Sequence, residues 1–231
     1  AASDVYKRQV LGVVIERLAY KPLRSAPSLA VLITAIGVSY FLQNSALLIW
    51  KAAARVYPPV VEGSMQLFGG KLTVSYVSLL TIAACVVIMI GLTTFVNKSK
   101  MGKAMRAVSE DKAAAALMGI SVNRTISITF AIGSALAAVA SIFYGMSYIY
   151  IKPTTGAMPG IKAFTAAVFG GIGSIPGAVI GAFIIGICEN IIRSFGQDWT
   201  VFSDAFTFAL LIVVLVVKPT GLFGEKVTDK V

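Results

Sequence analysis

The sequence has no histidine at all, and that absence removes a great deal of chemistry. His-based catalytic triads, the commonest metal ligand and the most accessible general base near neutral pH all go with it. There are only two cysteines, Cys85 and Cys188, both inside apolar stretches and far apart in sequence. They read as small core hydrophobes rather than a disulfide. No nucleotide-binding P-loop exists: Gly70-Lys71 is followed by Leu72 and has no glycine five residues earlier. Gly171-Ile172-Gly173-Ser174-Ile175-Pro176 superficially matches a dinucleotide glycine motif, but it ends in proline and sits in lipid-length apolar sequence. Nothing in the residues requires a cofactor or a metal, and nothing points to an enzyme. Charge is also scarce, at 13% of residues.

What the sequence has in quantity is apolar surface. Of 231 residues 57% are hydrophobic, and the mean hydropathy is +0.85. A soluble domain cannot hide that much, so the chain reads as an all-α polytopic membrane protein. Lys and Arg number 20 against 10 Asp and Glu. The basic residues cluster between apolar runs without interleaved aromatics, which suits membrane topology and not nucleic-acid binding.

The spans expected are residues 28–50, 72–96, 126–150 and 202–217, with a broken segment at 161–193. As one helix that last segment would be roughly 50 Å long, too long for a bilayer core of about 30 Å. Two full spans would need more residues. The run Gly170 to Gly173, with Pro176, breaks it, giving a re-entrant-like pair with a turn at membrane depth. Residues 10–231 read as a single transmembrane domain. Ala1 to Gln9 is polar and basic and reads as a foreign or disordered end, with helices missing upstream. Glu16 to Pro27 is expected as a loop, and Val60 to Thr73 as a small surface hairpin.

The loop at 97–125 is the most informative segment. It carries Lys98, Lys100, Lys103, Arg106, Lys112 and Arg124, which place it in the cytosol. Inside it, Ala113 to Met118 favours a short helix and Gly119 a stop. A structured helix of small side chains in a cytosolic loop suggests a docking point for a soluble partner.

Polar residues inside the spans mark a bundle interior or a water-filled path. Thr34, Ser39, Gln43, Asn44 and Thr165 are the candidates for such a path, with helix–helix hydrogen bonding as the alternative. Gly173, Gly177 and Gly181 recur every four residues, giving a bare stripe for close helix packing or for contact with a moving partner. Glu189 reads as the only acid inside a span, forming an i,i+4 pair with Arg193 at the membrane edge. A proton-driven carrier would need a chain of intramembrane acids.

Several blocks in order resemble the LivH-type permease subunit of branched-chain amino acid ABC importers. They are Glu16 to Arg24, Leu32 to Ser39, Arg106 to Asp111, Ala116 to Ile120, Ala163 to Gly177 and Lys218 to Gly224. The resemblance implies an ABC importer transmembrane domain in the bacterial inner membrane. It also implies a related second permease subunit, two cytosolic ABC ATPases, a periplasmic substrate-binding protein and contact with membrane lipid. ABC permeases present a cytosolic EAA-type motif with a glycine four residues after the second alanine, and Ala114, Ala115 and Gly119 match it. Ala113 stands where a glutamate is common, so Glu110 or Asp111 takes the acidic role. The alternative is a passive channel or secondary carrier for small polar solutes such as urea or amides. A stoichiometric ATPase separates the two.

Overall fold

The computed structural model describes residues 10–23, 26, 28–57, 63–67, 72–218 and 220–224. The expectations for Ala1 to Gln9, and for part of the hairpin at 60–73, lie outside those residues. Among the described residues five helices are long and apolar enough to cross a membrane: Ile33–Trp50, Tyr76–Lys98, Val122–Ser147, Ile175–Ser194 and Trp199–Val217. Large apolar side chains such as Phe41, Val87 and Val213 are exposed along them, as a lipid-facing surface requires. The chain divides into two compact units, Ala1–Ile88 with Thr94–Thr154, and Met89–Thr93 with Thr155–Val231.

In the first unit, residues 10–15 form a short helix, α1, that runs into a π-helical turn at Glu16–Tyr20 and a 3-10 turn at Lys21–Leu23. The expected loop at 16–27 is therefore largely helical. The reason is tertiary: Glu16 is buried, its Oε2 accepts from Ser127 Oγ at 3.1 Å, and Tyr20 lies over Phe130. Helix α2 spans Ser28–Trp50, as expected. Strand β1 is Arg55–Val56. Strands β2 (Ser64–Leu67) and β3 (Leu72–Ser75) pair antiparallel, so the hairpin forms and takes the first residues of the second predicted span. Helix α3 then starts at Tyr76 and ends at Lys98, with Ser75 as its N-cap.

Three more helices follow: α4 (Lys100–Glu110), α5 (Lys112–Leu117) and α6 (Val122–Ser147). Helix α6 begins four residues before the predicted span and ends three before its limit, because Tyr150–Ile151 leaves to form β4. That strand pairs antiparallel with β1, joining the loops that follow α2 and α6. No sequence pattern announced this pairing.

The second unit is a three-helix layer of α7 (Ala157–Gly170), α8 (Ile175–Ser194) and α9 (Gln197–Val217). Its core is Ala166, Phe169 and Ile185, flanked by Leu210, Leu211, Val214 and Leu222. Helices α7 and α8 form an antiparallel hairpin. The break at Gly171–Ser174 is where the sequence placed it: Gly171 and Gly173 have φ of +108° and +98°, and Ser174 Oγ caps Gly177 N at 3.1 Å. The turn joins two helices of unequal length. Helix α8 is itself of spanning length, while the 14 residues of α7 reach only ~21 Å. The turn lies level with the far end of α9, because Leu222 N and Phe223 N donate to Phe169 O and Gly170 O at 2.9 Å each.

Candidate functional sites: a capped short helix and a three-helix ion network

The first site is the segment from Ser99 to Val122 in the first unit. Ser99 caps α4, its Oγ accepting from Gly102 N at 2.9 Å. Gly102 is buried against Val96 where the chain turns from α3 into α4. Arg106 donates to Asn97 Oδ1 at 2.6 Å, bracing α4 against the end of α3. Much of the predicted basic loop is thus a helix, with Gly102 and Val108 buried.

Asp111 is the hinge between α4 and α5. Its carboxylate accepts from Ala113 N at 2.7 Å and Ala114 N at 3.1 Å, satisfying two of the unpaired amides at the start of α5. The other end is closed with equal care. Ile120 N donates to Ala115 O and Gly119 N to Ala116 O, both at 3.0 Å, the paired bonds of a Schellman cap. Gly119 takes φ +80°, which that cap demands. A six-residue helix has little stability of its own, so these four bonds define it.

Of the residues the sequence singled out here, Ala115 is buried while Glu110, Asp111, Ala114 and Gly119 are exposed. Two residues were missed. Leu117 and Met118 project from the tip, 90% and 83% exposed. Their exposure follows from which side of the helix packs, as buried Ala115 shows, and not from any sequence pattern.

The polar candidates separate. Thr34, Ser39, Gln43 and Asn44 all lie on α2, but at 3.6 residues per turn only Ser39 and Gln43 share a face. Gln43 donates to Ser39 Oγ at 3.1 Å, and Thr34 and Asn44 spend their donors on Ala30 O and Tyr40 O. Thr165 belongs to α7 in the other unit, buried, with its hydroxyl on Ile161 O at 2.9 Å.

The glycine stripe also changes. A Cβ on Gly177 or Gly181 would stand 2.6 Å from Gly170 O or Ala166 O, so both permit the close approach of α7 and α8. Gly173 lies ahead of α8, in the turn, with open space where a Cβ would point. The stripe therefore holds two residues, and Gly170 on α7 supplies the facing gap.

The second site is an ion network in the second unit. Glu189 and Arg193 pair at i,i+4, as expected. Glu189 Oε1 also accepts from Lys162 Nζ of α7 at 2.6 Å, and the same ammonium stands 2.8 Å from Asp204 Oδ1 of α9. Arg193 Nε reaches Ser203 Oγ at 3.5 Å. Asp204 corrects the reading of Glu189 as the only acid in a span, since it lies within the predicted segment 202–217 itself. Lys162 lies in the predicted broken segment and was likewise overlooked. Both cysteines are free, and no cluster suited to a metal occurs among the described residues.

Comparison with known proteins agrees with this architecture. Residues 9–215 match the family described as the branched-chain amino acid transport system / permease component. The chain is 42% identical over 238 residues to the high-affinity branched-chain amino acid transport system permease protein BraD of Pseudomonas aeruginosa, covering 100% of this chain and 75% of the relative. It is 44% identical over 232 residues to the permease protein LivH of Escherichia coli K12, covering 94% and 71%. A more distant relative is the fructose import permease protein FruG of Bifidobacterium longum, 31% identical over 59% of this chain and 41% of the relative. No solved structure matches. With five span-length helices among the described residues and a family match across nearly its whole length, this chain is a multi-pass membrane protein and belongs to the branched-chain amino acid transport system permease family.

Proposed function

We propose that the chain is one permease subunit of an ATP-driven importer of branched-chain amino acids in the bacterial inner membrane. A related second permease completes the path, two cytosolic ATPases drive it, and a periplasmic binding protein delivers the solute. The observation that carries the coupling role is the short helix α5. It is capped at both ends and pushes Leu117 and Met118 into solvent while Ala115 anchors it from beneath. Burying an apolar side chain of that size contributes ~1.5–3 kcal/mol, enough for two of them to seat the helix in a groove of the ATPase. Asp111 is spent on the N-cap, so the acidic contact falls to the exposed Glu110. Closure of the ATPase dimer then pushes α5, and α4 and α6, which flank it in the chain, carry the push into the spans. The chain contributes no chemistry to hydrolysis.

The test is purification of the tagged chain from its native host in mild detergent. A stoichiometric ATPase is expected, and Leu117→Asp with Met118→Asp is expected to release it while leaving the permease folded. Solute uptake by this chain with no ATPase bound would instead favour a passive channel.

A further inference from the structure

We infer that Lys162, Glu189, Arg193 and Asp204 form a binding site for the charged end of a small zwitterion, with the substrate carboxylate on Arg193 and its ammonium on Asp204. This rests on the transport reading above. Charges inside membrane spans are costly, and they face a protein interior or a water-filled path. Here four converge from three helices, two positive and two negative, so the cluster carries no net charge. A balanced, bipolar lining suits a solute that is itself neutral but bipolar. A net anion or cation would leave one side of the cluster unanswered.

The cluster is closed at one end and open at the other. The Glu189 side chain is 10% exposed and Lys162 24%, but Asp204 is 37% and Arg193 43% exposed. The open end cannot be left against hydrocarbon, because polar groups there go unsatisfied. Arg193 keeps guanidinium donors beyond those turned to Glu189 and Ser203, in the fork geometry that suits a carboxylate. Asp204 Oδ1 is buried and close to Lys162 Nζ, yet receives no well-aligned hydrogen bond. The carboxylate is nevertheless 37% exposed, so its outward part is what an ammonium meets from the open side.

The same helices provide room for an aliphatic tail. A groove of about 240 Å³ between α8 and α9 is lined by Cys188, Ile191, Ile192, Phe206, Thr207 and Leu210. Cys188 and Ile192 adjoin Glu189 and Arg193 in sequence. Thr207 follows Ser203 by one turn and donates to its carbonyl at 3.0 Å. The charged cluster and this groove thus draw on the same two helices, α8 and α9.

Cys188 is a native probe of this groove. In the assembled transporter carrying Cys85→Ser, it is the chain's only cysteine. Its reaction with a membrane-impermeant cationic methanethiosulfonate is followed by mass spectrometry of this subunit, without nucleotide. Leucine at ten times its half-saturating concentration is expected to slow labelling about tenfold by mass action. Leucinamide and 4-methylpentanoate, each lacking one of the two charges, are expected to give no protection. Asp204→Asn and Arg193→Gln are expected to weaken leucine protection at least about tenfold, the loss that follows when a charge-assisted contact is removed. Asp204→Glu, which keeps the charge, reports whether the fold tolerates change at this position and is expected to retain protection. The inference is overturned if Cys188 reacts only with a lipid-soluble maleimide, which would place the groove against lipid. It is equally overturned if labelling is the same with and without leucine, or if Asp204→Asn protects as the parent does. None of these readouts needs ATP hydrolysis, so they fail independently of the coupling role of α5.

Discussion

Replacing Gly119 by valine tests the coupling role through a single backbone angle. The glycine sits at φ +80°, and a Cβ there would meet nothing within 4 Å. Any loss therefore comes from conformation and not from a clash. An L-residue in the left-handed region costs roughly 1–2 kcal/mol, and a β-branched one sits at the upper end or beyond. About 2 kcal/mol shifts a local equilibrium by up to about 30-fold. Helix α5 has only six residues, so that shift falls on a helix with no stability in reserve. The bonds from Ile120 N to Ala115 O and from Gly119 N to Ala116 O loosen, and the Leu117–Met118 tip loses its fixed direction. The expected result is a complex that assembles and hydrolyses ATP but imports solute poorly per ATP consumed. Gly119→Asn is the control, because asparagine adopts this conformation with less strain, and it is expected to retain most coupling. The assay is solute uptake and phosphate release measured together in proteoliposomes containing the full transporter. An intact Gly119→Val complex with parental coupling would refute the reasoning.

Asp111→Ala removes the two N-cap bonds and is expected to destabilise α5 by about 1 kcal/mol, read as faster amide exchange at residues 112–118, while Asp111→Ser recovers most of the loss. On α8, Gly181→Ala is expected to cost ~1–3 kcal/mol because the methyl meets Ala166 O, whereas Gly186→Ala, with open space around it, is expected to stabilise by roughly 0.5–1 kcal/mol. Thermal inactivation of the detergent-solubilised complex compares the two, and equal effects would contradict the hairpin packing. Taking the 97–125 segment as cytosolic, as its basic residues predict, and counting α7 and α8 as an inward and an outward pass puts the far end of α9 in the cytosol. Cysteines placed at Ile172 and Phe223 are then expected to react with an impermeant reagent from the cytosolic side alone, as are Lys100 and Lys112 with an amine reagent.

The spans were legible because lipid exposure writes itself into composition: α2 matches the limits read from hydropathy, and α8 ends one residue past the limit of the broken segment. Their ends were less so. Residues 72–75 are apolar enough to extend α3, but cross-strand pairing with Ser64–Leu67 claims them instead. Helix α4 was hidden because six basic residues across 97–125 read as a solvated loop, although Gly102 and Val108 are buried. Helix α5 and its glycine stop were readable from propensity alone. Its tip was not, because exposure of Leu117 and Met118 depends on which side of a six-residue helix faces α4 and α6. The ion network was half visible. The Glu189–Arg193 spacing lies within one helix and so shows in sequence, but Lys162 and Asp204 join it only through the folding of the hairpin against α9.

The bonds from Leu222 and Phe223 to the end of α7 set an order on biogenesis. The last carbonyls of that helix, Phe169 O and Gly170 O, find their partners some 50 residues downstream, so α7 and α8 enter the bilayer before their joint can be fastened. Until the stretch through Gly224 has been made, those carbonyls depend on water for their partners. A reporter fused directly after Val217 leaves the hairpin unfastened, whereas one joined beyond Gly224 lets the knot tie.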